Sequence, residues 1–320
     1  MVSGQDCLVS VIVPAYNCAA TLQQAVRSAL RQDLYAVEVL IVEDGSSDRT
    51  PEVARWLAAT DRRVRVLTMP RNSGKPSAMN TGIREARGLW VAVLDADDWY
   101  VKNRLTTLLS AAERANADLV ADNQFVYDDG ADTVVRTAFP PQQGDRVLDK
   151  ALFITGSDPY AEFNFGMLKP VVRADFIRRC GLTYHEKAKL SEDFIYMAEF
   201  LAANGKASLV AQPLYYWRQA FGAISRQWTE TGAGRWRYDF LAAIEANDEL
   251  LRKLSSRGER ELASLVERRL RAFRHLHRIQ EISRLRAEGA AVARVAAEVL
   301  KHPSVWALVA QRGFRRLGRR

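Results

Sequence analysis

Short apolar runs alternate with amphipathic segments along the first 127 residues, and few folds accommodate that alternation. The apolar runs span residues 8–14, 37–42, 64–68, 89–94 and 119–127. After the first run, Leu22, Val26 and Leu30 recur at the spacing of one helix face. Further helices are predicted at 49–59, 77–87 and 104–114. Apolar strands that alternate with such helices indicate an α/β fold with a mostly parallel sheet flanked by helices.

The rest of the chain has a different texture. Residues 128–162 are polar and rich in turn formers, so we predict a loop or hairpin there. Helices are expected at 175–180 and 192–203, and a strand at 208–217. Beyond residue 228 the pattern predicts helix to the end, interrupted at Gly258, Gly289 and Pro303. The chain therefore divides into three parts, 1–127, 128–227 and 228–320.

The positive charge of the chain belongs to its C-terminal region. The net charge is +8, but residues 251–320 hold 18 Lys and Arg against 6 Asp and Glu, which leaves the first 250 residues negative. Such a region attracts an anionic membrane face or a phosphorylated lipid, or is simply a solvated basic helix. No recognised reader motif accompanies the charge, so we expect no nucleic acid partner.

Composition excludes several classes of protein. Apolar residues make up 48% and charged residues 26%, the mix of a globular chain and not of a disordered one. Three cysteines without CxxC and four histidines argue against a disulfide framework and a Cys/His metal site. We find no signal peptide and no apolar run of about 20 residues. A cytoplasmic location is therefore expected.

Candidate ligand-binding residues lie at the ends of four of the predicted strands. They are Pro14 and Tyr16, then Asp44, then Asn72, Gly74 and Lys75, then Asp95 and Asp97. Ligands of an open α/β sheet bind beyond the carboxyl ends of its strands. We expect the Tyr16 ring to lie against a base, Asp44 to accept from a base N–H and Lys75 to contact phosphate. These groups together predict a pocket for a nucleotide diphosphate.

The Asp-x-Asp pair is the most informative of these features. Alternate residues that leave a strand point the same way, so Asp95 and Asp97 can converge on one ligand. Carboxylate oxygens suit Mg²⁺ or Mn²⁺, which in turn bridges diphosphate oxygens. The alternative is a solvated acidic turn, because short acidic triplets are frequent.

In order and spacing, VSVIVPAYN, VLIVEDGSSDRT, RNSGKPSAMNTGI and VAVLDADDW resemble the inverting family 2 glycosyltransferases of GT-A fold. The resemblance covers roughly residues 8–225 and is closest in texture to bacterial exopolysaccharide glucosyltransferases of the succinoglycan type. It implies that Pro14 and Tyr16 flank the base and that Asp44 binds it. By the same resemblance, Asp95 reaches the ribose and Asp97 the metal.

The resemblance also assigns roles outside the Asp-x-Asp pair. It places Asn72, Gly74 and Lys75 along the nucleotide. Residues 1–127 would then be the nucleotide-sugar-binding half, and 128–227 the acceptor-binding half of the same domain. The helical basic extension would occupy 228–320.

A second acidic pair opens the helix predicted at 192–203. In the family, this pair supplies the catalytic base, and Asp193 matches that position. Inverting displacement needs a carboxylate to take the acceptor hydroxyl proton. Glu192 would contact the acceptor or diphosphate. The alternative is that both acids simply favour a helix N-terminus.

The segment YYWR at 215–218 and Ser225 match an aromatic-basic stretch of the family. Trp217 could stack on a sugar and Arg218 could bind phosphate; the alternative is a core strand edge with one exposed arginine. Processive members carry Gln-x-x-Arg-Trp, but Gly232 stands where that Gln would precede Arg235 and Trp236. Addition of one sugar per encounter is therefore expected.

These observations predict a metal-dependent inverting glycosyltransferase. The expected donor is UDP-glucose, and the acceptor a glycan or a polyprenyl-diphosphate-linked glycan. The basic amphipathic stretch 306–320 predicts attachment to an anionic inner-membrane surface. Two alternatives are a non-catalytic nucleotide-sugar-binding protein of the same fold and a haloacid-dehalogenase-like phosphatase, which also places Asp-x-Asp after an apolar strand.

Overall fold

The computed structural model describes residues 7–161, 163–188, 190–219 and 239–287. In chain order its main elements are β1 (Val9–Ala15), α1 (Leu22–Leu30), β2 (Val37–Glu43), α2 (Thr50–Thr60), β3 (Val64–Thr68), α3 (Lys75–Glu85), β4 (Trp90–Val93), β5 (Trp99–Tyr100), α4 (Arg104–Arg114), β6 (Leu119–Asp128), β7 (Thr133–Thr137), β8 (Arg146–Val147), α5 (Lys150–Thr155), β9 (Val171–Arg173), α6 (Ala174–Cys180), α7 (Glu192–Ala202), β10 (Ala207–Gln219), α8 (Phe240–Ser256) and α9 (Arg260–Ala287). Short 3₁₀ helices occupy Pro141–Gln143 and Phe165–Met167. The predicted interruption at Gly258 lies between α8 and α9, whereas Gly289 and Pro303 lie outside the described residues.

One sheet unites the described strands in the order β3-β2-β1-β4-β9-β6-β10-β5, with β7 paired to β6 and β8 to β10. β1 is parallel to β2 and β4, β2 to β3, and β6 to β10. β9 runs antiparallel to both β4 and β6. The predicted α/β fold with a mostly parallel sheet is confirmed, and the antiparallel β9 is an addition that the sequence pattern does not predict.

Helices cover both faces of this sheet because alternate residues of a strand point to opposite sides. Val9, Val11 and Val13 of β1 pack with residues of α1, α2 and α4. Ile12, between them, packs in a second cluster with residues of α3 and α7. Both faces of the sheet are buried beneath helices, which explains why the strands appear in the sequence as continuous apolar runs.

The polar segment 128–162 forms more structure than the predicted loop or hairpin. β7 returns along β6 as a hairpin, and β8 joins the sheet beside β10. The short helix α5 follows, and the Asp149 carboxylate caps it by accepting from the backbone N–H of Leu152 at 2.7 Å. β6 runs across the predicted boundary at residue 127, so the two predicted halves share one sheet.

The predicted helical extension is integrated with the domain where the structure describes it. α9 contacts α5, and α8 contacts α7. Leu254, Leu262 and Val266 are fully buried in the same apolar cluster as α7. Within the described ranges, no helix is long and apolar enough to cross a membrane.

Candidate functional site

Three loops meet at the carboxyl ends of β1, β2 and β3. Asp44, which follows β2 and is 2% exposed, accepts hydrogen bonds from the backbone N–H groups of Ser73 at 2.8 Å and Gly74 at 2.7 Å. Gly74 has φ +90° and directly precedes α3, so Lys75 is the first helical residue. Asp44 therefore holds the loop before α3. A nucleobase that donates to Asp44 must share the carboxylate oxygens with these two amides.

Gly45 explains how closely two of these loops approach each other. Its φ is +69°, and a Cβ built on it would lie 2.7 Å from the backbone nitrogen of Asn72. Only glycine combines this conformation with this contact. The residue thereby fixes the spacing between the loops that follow β2 and β3.

The predicted nucleotide-facing residues line the edge of these loops. Pro14 is half-buried at the end of β1, and the Tyr16 ring is 37% exposed. Asn72 is exposed, and its Oδ1 accepts from the N–H of Gly74 at 3.1 Å. The structure thus brings the predicted donor-side residues together at one edge and leaves the Tyr16 ring accessible.

A cluster of two lysines and three carboxylates lies beside this edge. Its members are Lys75, Lys169, Asp95, Glu192 and Asp193, hereafter the lysine–carboxylate cluster. The Lys169 ammonium lies 2.7 Å from Asp193 Oδ2 and 2.9 Å from Asp95 Oδ2. The Lys75 ammonium lies 2.9 Å from Asp95 Oδ1, 3.1 Å from Asp193 Oδ2 and 3.4 Å from Glu192 Oε1. Asp95 and Asp193, predicted on separate grounds, thus share two counter-charges.

Lys169 is a residue of this cluster that the sequence patterns did not predict. It is 7% exposed and precedes β9. Because β9 is antiparallel to β4, its beginning lies at the edge where β4 ends. The available signal was one lysine inside the apolar stretch GMLKPVV, since lysine is almost never buried unless it is paired.

Burial and charge oppose each other in the cluster. Burial would raise the pKa of Asp95, but Lys169 and Lys75 outweigh it and hold that pKa well below its usual range. Burial would lower the pKa of Lys75, yet the carboxylates around it raise that pKa well above normal. For Glu192 burial wins over the attraction of Lys75, and its pKa rises to about 7. The ion pairs of Asp95 are therefore retained at neutral pH, whereas Glu192 titrates close to neutral pH.

Asp193 keeps one oxygen free for chemistry. Its Oδ2 is taken by the two lysines, whereas its Oδ1 is buried without a hydrogen-bond partner in the described part of the chain. A buried carboxylate oxygen without a donor is a strong acceptor for an incoming hydroxyl group.

Asp97 lies two residues beyond Asp95, and its carboxylate has different charged neighbours. Burial and the nearby charge of Asp95 raise the pKa of Asp97. No lysine or arginine of the described residues pairs with its carboxylate. The described residues contain no group of three or more His, Cys, Asp or Glu placed to hold a metal ion. A metal ion at Asp97 would therefore need ligands in addition to those that the described residues supply.

The final part of β10 fixes the loop that carries the Asp-x-Asp pair. The Tyr215 hydroxyl donates to Asp98 Oδ2 at 2.7 Å and accepts from the N–H of Asp95 at 3.2 Å. The Arg218 N–H donates to Asp98 Oδ1, and its Nε–H donates to the Asp97 carbonyl, both at 2.8 Å. Asp98 was absent from the predicted site, and its place is that of a buried anchor under the loop.

The segment 215–218 departs from the predicted sugar platform. Tyr215 is fully buried, so it is not available for stacking. Arg218 is neither exposed nor open to phosphate, because its terminal nitrogens donate to Asp129 and Gln24. Trp217 is half-buried, with its ring 6.2 Å from that of Phe163. Ser225, Arg235 and Trp236 lie outside the described residues.

An aromatic stack beside this segment was not predicted. The Tyr216 ring lies between those of Trp99 and Phe125, at 4.7 and 4.8 Å between centroids. The Arg218 guanidinium sits over Trp99 at 4.9 Å. The stack lies along the β5–β10 pairing, where Tyr216 is the register partner of Trp99.

Comparisons with known proteins identify the family of the chain. Residues 10–171 match the family model described as Glycosyl transferase family 2. The chain is 35% identical over 274 residues to the succinoglycan biosynthesis protein ExoO of Rhizobium meliloti, which covers 83% of this chain and 74% of that protein. It is 32% identical over 209 residues to ExoU of the same organism, with 63% and 59% covered.

Solved structures show the same fold. The structure of S. aureus TarS 1-349 in complex with UDP-GlcNAc superposes with a TM-score of 0.64 at 17% identity, covering 82% of this chain and 72% of that one. The family match extends over the loop at Asp44, the Asp-x-Asp pair and Lys169, while the likeness to ExoO reaches most of the chain. On both grounds the chain is a glycosyltransferase and belongs to glycosyl transferase family 2.

Proposed function

We propose that the enzyme moves one sugar, with inversion, from UDP-glucose to a glycan or polyprenyl-diphosphate-linked acceptor in exopolysaccharide biosynthesis. The observation that carries the proposal is the Lys169 ammonium, which lies within 2.9 Å of both Asp95 and Asp193. It joins the carboxylate that follows the donor-side strand β4 to the acid that opens α7. The names of ExoO and ExoU support the exopolysaccharide assignment.

In the proposed reaction Asp193 is the base. The acceptor oxygen forms a bond to the anomeric carbon as the bond from that carbon to the diphosphate oxygen breaks. The acceptor proton passes to Oδ1 of Asp193, which has no partner in the described residues. Direct displacement of this kind inverts the configuration and needs no covalent sugar intermediate.

On the donor side, Pro14 and the exposed ring of Tyr16 would flank the base. Asp44 would accept from the base while it holds the Ser73 and Gly74 amides. Asn72 and Gly74 would lie along the nucleotide. This assignment agrees with the meeting of the three loops at one edge.

Nearer the reacting bond, Asp95 would accept from the ribose and Lys75 would turn from the carboxylates toward diphosphate oxygens. Glu192, beside Lys75, would contact the acceptor or diphosphate. Trp217 would contribute its half-buried ring to the acceptor side. Arg218 would act mainly by holding Asp97, because its guanidinium is already occupied.

A divalent cation fits the charge of this site. The carboxylates of Asp95, Glu192 and Asp193 face the two ammonium groups of Lys75 and Lys169, and Asp97 lies beside them, which leaves negative charge in excess when all are ionised. Asp97 is the carboxylate without a lysine or arginine partner among the described residues. Mg²⁺ is commonly bound by one or two carboxylates together with substrate phosphates, so Mg²⁺ or Mn²⁺ at Asp97 would need no all-protein cage. When bound, it would offset charge on the departing diphosphate.

Calorimetry with UDP, GDP, CDP and dTDP, with and without Mn²⁺, tests the donor side. We expect UDP to bind in a Mn²⁺-dependent manner and the Asp97→Ala variant to lose that dependence. Binding of no nucleotide would contradict the donor site. Hydrolysis of UDP-glucose tests the base, since Asp193→Asn should bind UDP normally and turn over about 10²–10⁴-fold more slowly. Equal turnover would remove Asp193 from the mechanism.

The acceptor proposal includes attachment to an anionic membrane through residues 306–320, which lie outside the described residues. Flotation with vesicles rich in anionic lipid, on the full-length chain and on a variant with Arg315, Arg316, Arg319 and Arg320 changed to Gln, tests it. Substitution is preferable to truncation of the C-terminal region, because a truncation that reached α9 would remove residues of the apolar core. We expect the variant to stay at the bottom of the gradient; equal flotation would contradict attachment by this stretch.

A further inference from the structure

Ser191 holds an uncommon backbone conformation directly before the acidic pair Glu192–Asp193. It is a non-glycine residue with φ +84°, in the left-handed region, at the first position flanking α7. Its hydroxyl does not cap the helix. A left-handed serine persists only where its surroundings fix it. Glu192 and Asp193 follow at once, so whatever fixes Ser191 also aims the two acids.

The groups that fix Ser191 come from the helical extension. The Arg269 side chain of α9 donates from Nη2 to Ser191 Oγ at 3.2 Å. Asn247 of α8, fully buried, donates from Nδ2 to the same oxygen at 3.5 Å. These two contacts join α8 and α9 to the turn at the start of α7.

Arg269 also touches the residue after the base. Its guanidinium carbon lies 3.8 Å from the centre of the Phe194 ring and 5.2 Å from that of Phe273. Arg269 therefore contacts Ser191 and Phe194, the residues that precede and follow the acidic pair in the chain.

This arginine has an environment that is costly for stability alone. It is 5% exposed, its Nε and Nη1 lack hydrogen-bond partners, and no carboxylate of the described residues pairs with it. Burial lowers its pKa to about 9. An apolar side chain of similar volume would fill the space between Phe194 and Phe273 without burying a charge. The one hydrogen bond that the guanidinium makes among the described residues is the bond to Ser191.

We propose that Arg269 is a positioning residue for sugar transfer, which holds the Ser191 turn so that the Asp193 carboxylate faces the donor. The proposal rests on the proposed role of Asp193 as base. It makes the extension part of the catalytic unit, although α9 lies outside the stretch that matches the family model.

The test uses the full-length chain and five variants. Arg269→Met removes the contact, Arg269→Lys keeps the charge, and Ser191→Gly keeps the backbone conformation but removes the oxygen. The double variant Arg269→Met/Ser191→Gly measures coupling. Arg268→Met is the matched control, since Arg268 is the exposed neighbour on the same helix.

The first readout is hydrolysis of UDP-glucose together with UDP affinity. We expect Arg269→Met and Ser191→Gly to lower kcat about 10- to 100-fold, the loss of one charge-assisted hydrogen bond, with UDP affinity unchanged. The double variant should be no slower than the slower single variant, Arg269→Lys should recover part of kcat, and Arg268→Met should match the parent. Unchanged kcat in Arg269→Met, or additive losses in the double variant, would overturn the proposal.

The second readout is amide hydrogen exchange at Ile195, whose N–H donates to the Ser191 carbonyl at 3.0 Å; this measurement needs no turnover. Protection there should fall in Arg269→Met and not in Arg268→Met; unchanged protection would overturn the proposal. Asp193→Asn, run in parallel, separates the two levels of inference. If Asp193→Asn is slow while Arg269→Met turns over as fast as the parent, the positioning proposal fails and the proposed role of Asp193 stands. If Asp193→Asn matches the parent, the proposed function fails, and the exchange data still decide whether Arg269 holds the turn.

Discussion

The ammonium nitrogen of Lys169 lies 2.7 Å from Oδ2 of Asp193, although the two residues precede β9 and open α7, respectively. The backbone of Lys169 is itself held, because Arg104 donates from Nη2 to the Lys169 carbonyl at 2.6 Å. Arg104 is fully buried and paired with Asp122. A chain of buried contacts thus runs from β6 through α4 to the proposed base.

Replacing Lys169 should remove one of the two counter-charges that Asp95 and Asp193 share. We expect Lys169→Met to lower stability by roughly 3 kcal/mol, the low end of the scale for a broken buried pair, because Lys75 remains. Without the lysine the pKa of Asp95 should rise. UDP-glucose hydrolysis should therefore fall, most strongly at acid pH. Urea unfolding and a pH–rate profile measure both effects.

The control for Lys169 is Lys102→Met. Lys102 is 77% exposed and pairs with Asp33 at 3.2 Å on the surface. Such pairs contribute about 0–1 kcal/mol. Similar losses in the two variants would show that Lys169 carries no special charge role.

The Arg104–Asp122 pair should be a principal support of the fold. Arg104 donates to both oxygens of Asp122, and the two side chains are 0% and 1% exposed. We expect Asp122→Ala to cost about 3–5 kcal/mol of unfolding free energy, because it leaves a buried guanidinium unpaired. Asp175→Ala, which breaks the exposed pair with Arg179, should cost under about 1 kcal/mol. Equal costs by chemical denaturation would refute this account.

Glu192 should make stability depend on pH near neutrality. Its folded-state pKa of about 7 lies above the ordinary 4.5, chiefly because of burial. The stabilisation that its bound proton provides is fully present below pH 4.5 and is lost as the pH rises through 7. Glu192→Gln cannot lose a proton, so its Tm should gain on the parent between pH 5 and pH 8. Thermal scans test this, with exposed Glu113→Gln expected to show no such trend.

Gly45→Ala should separate the donor loop from its support. The new Cβ would lie 2.7 Å from the Asn72 nitrogen, so the loop before α3 must move. We expect UDP affinity to fall at least about tenfold, as measured by calorimetry. Gly144→Ala is a close control, because Gly144 shares φ +69° but has nothing within 4 Å of a built Cβ. It should carry the backbone cost alone and leave affinity intact.

Sequence patterns predict the donor edge better than the acceptor side. Asp95 follows an apolar strand of a parallel sheet, and that placement alone directs it to the ligand edge. Lys169 precedes its strand, and no local pattern states that β9 runs against its neighbours. Arg218 and Tyr215 have the composition of a binding surface, but tertiary contacts bury them under the Asp-x-Asp loop. Their roles depend on partners over a hundred residues away, which local periodicity does not encode.

The five charged positions 75, 95, 169, 192 and 193 enter the cluster at widely separated points of one domain, and a domain generally folds as a unit. The Asp-x-Asp loop is itself held by Tyr215 and Arg218 of β10, which follow α7 in the chain. A partial chain that ends before α7 therefore lacks these anchors as well as the proposed base. The ordered donor loop and the group that would use the donor thus arise in the same folding step.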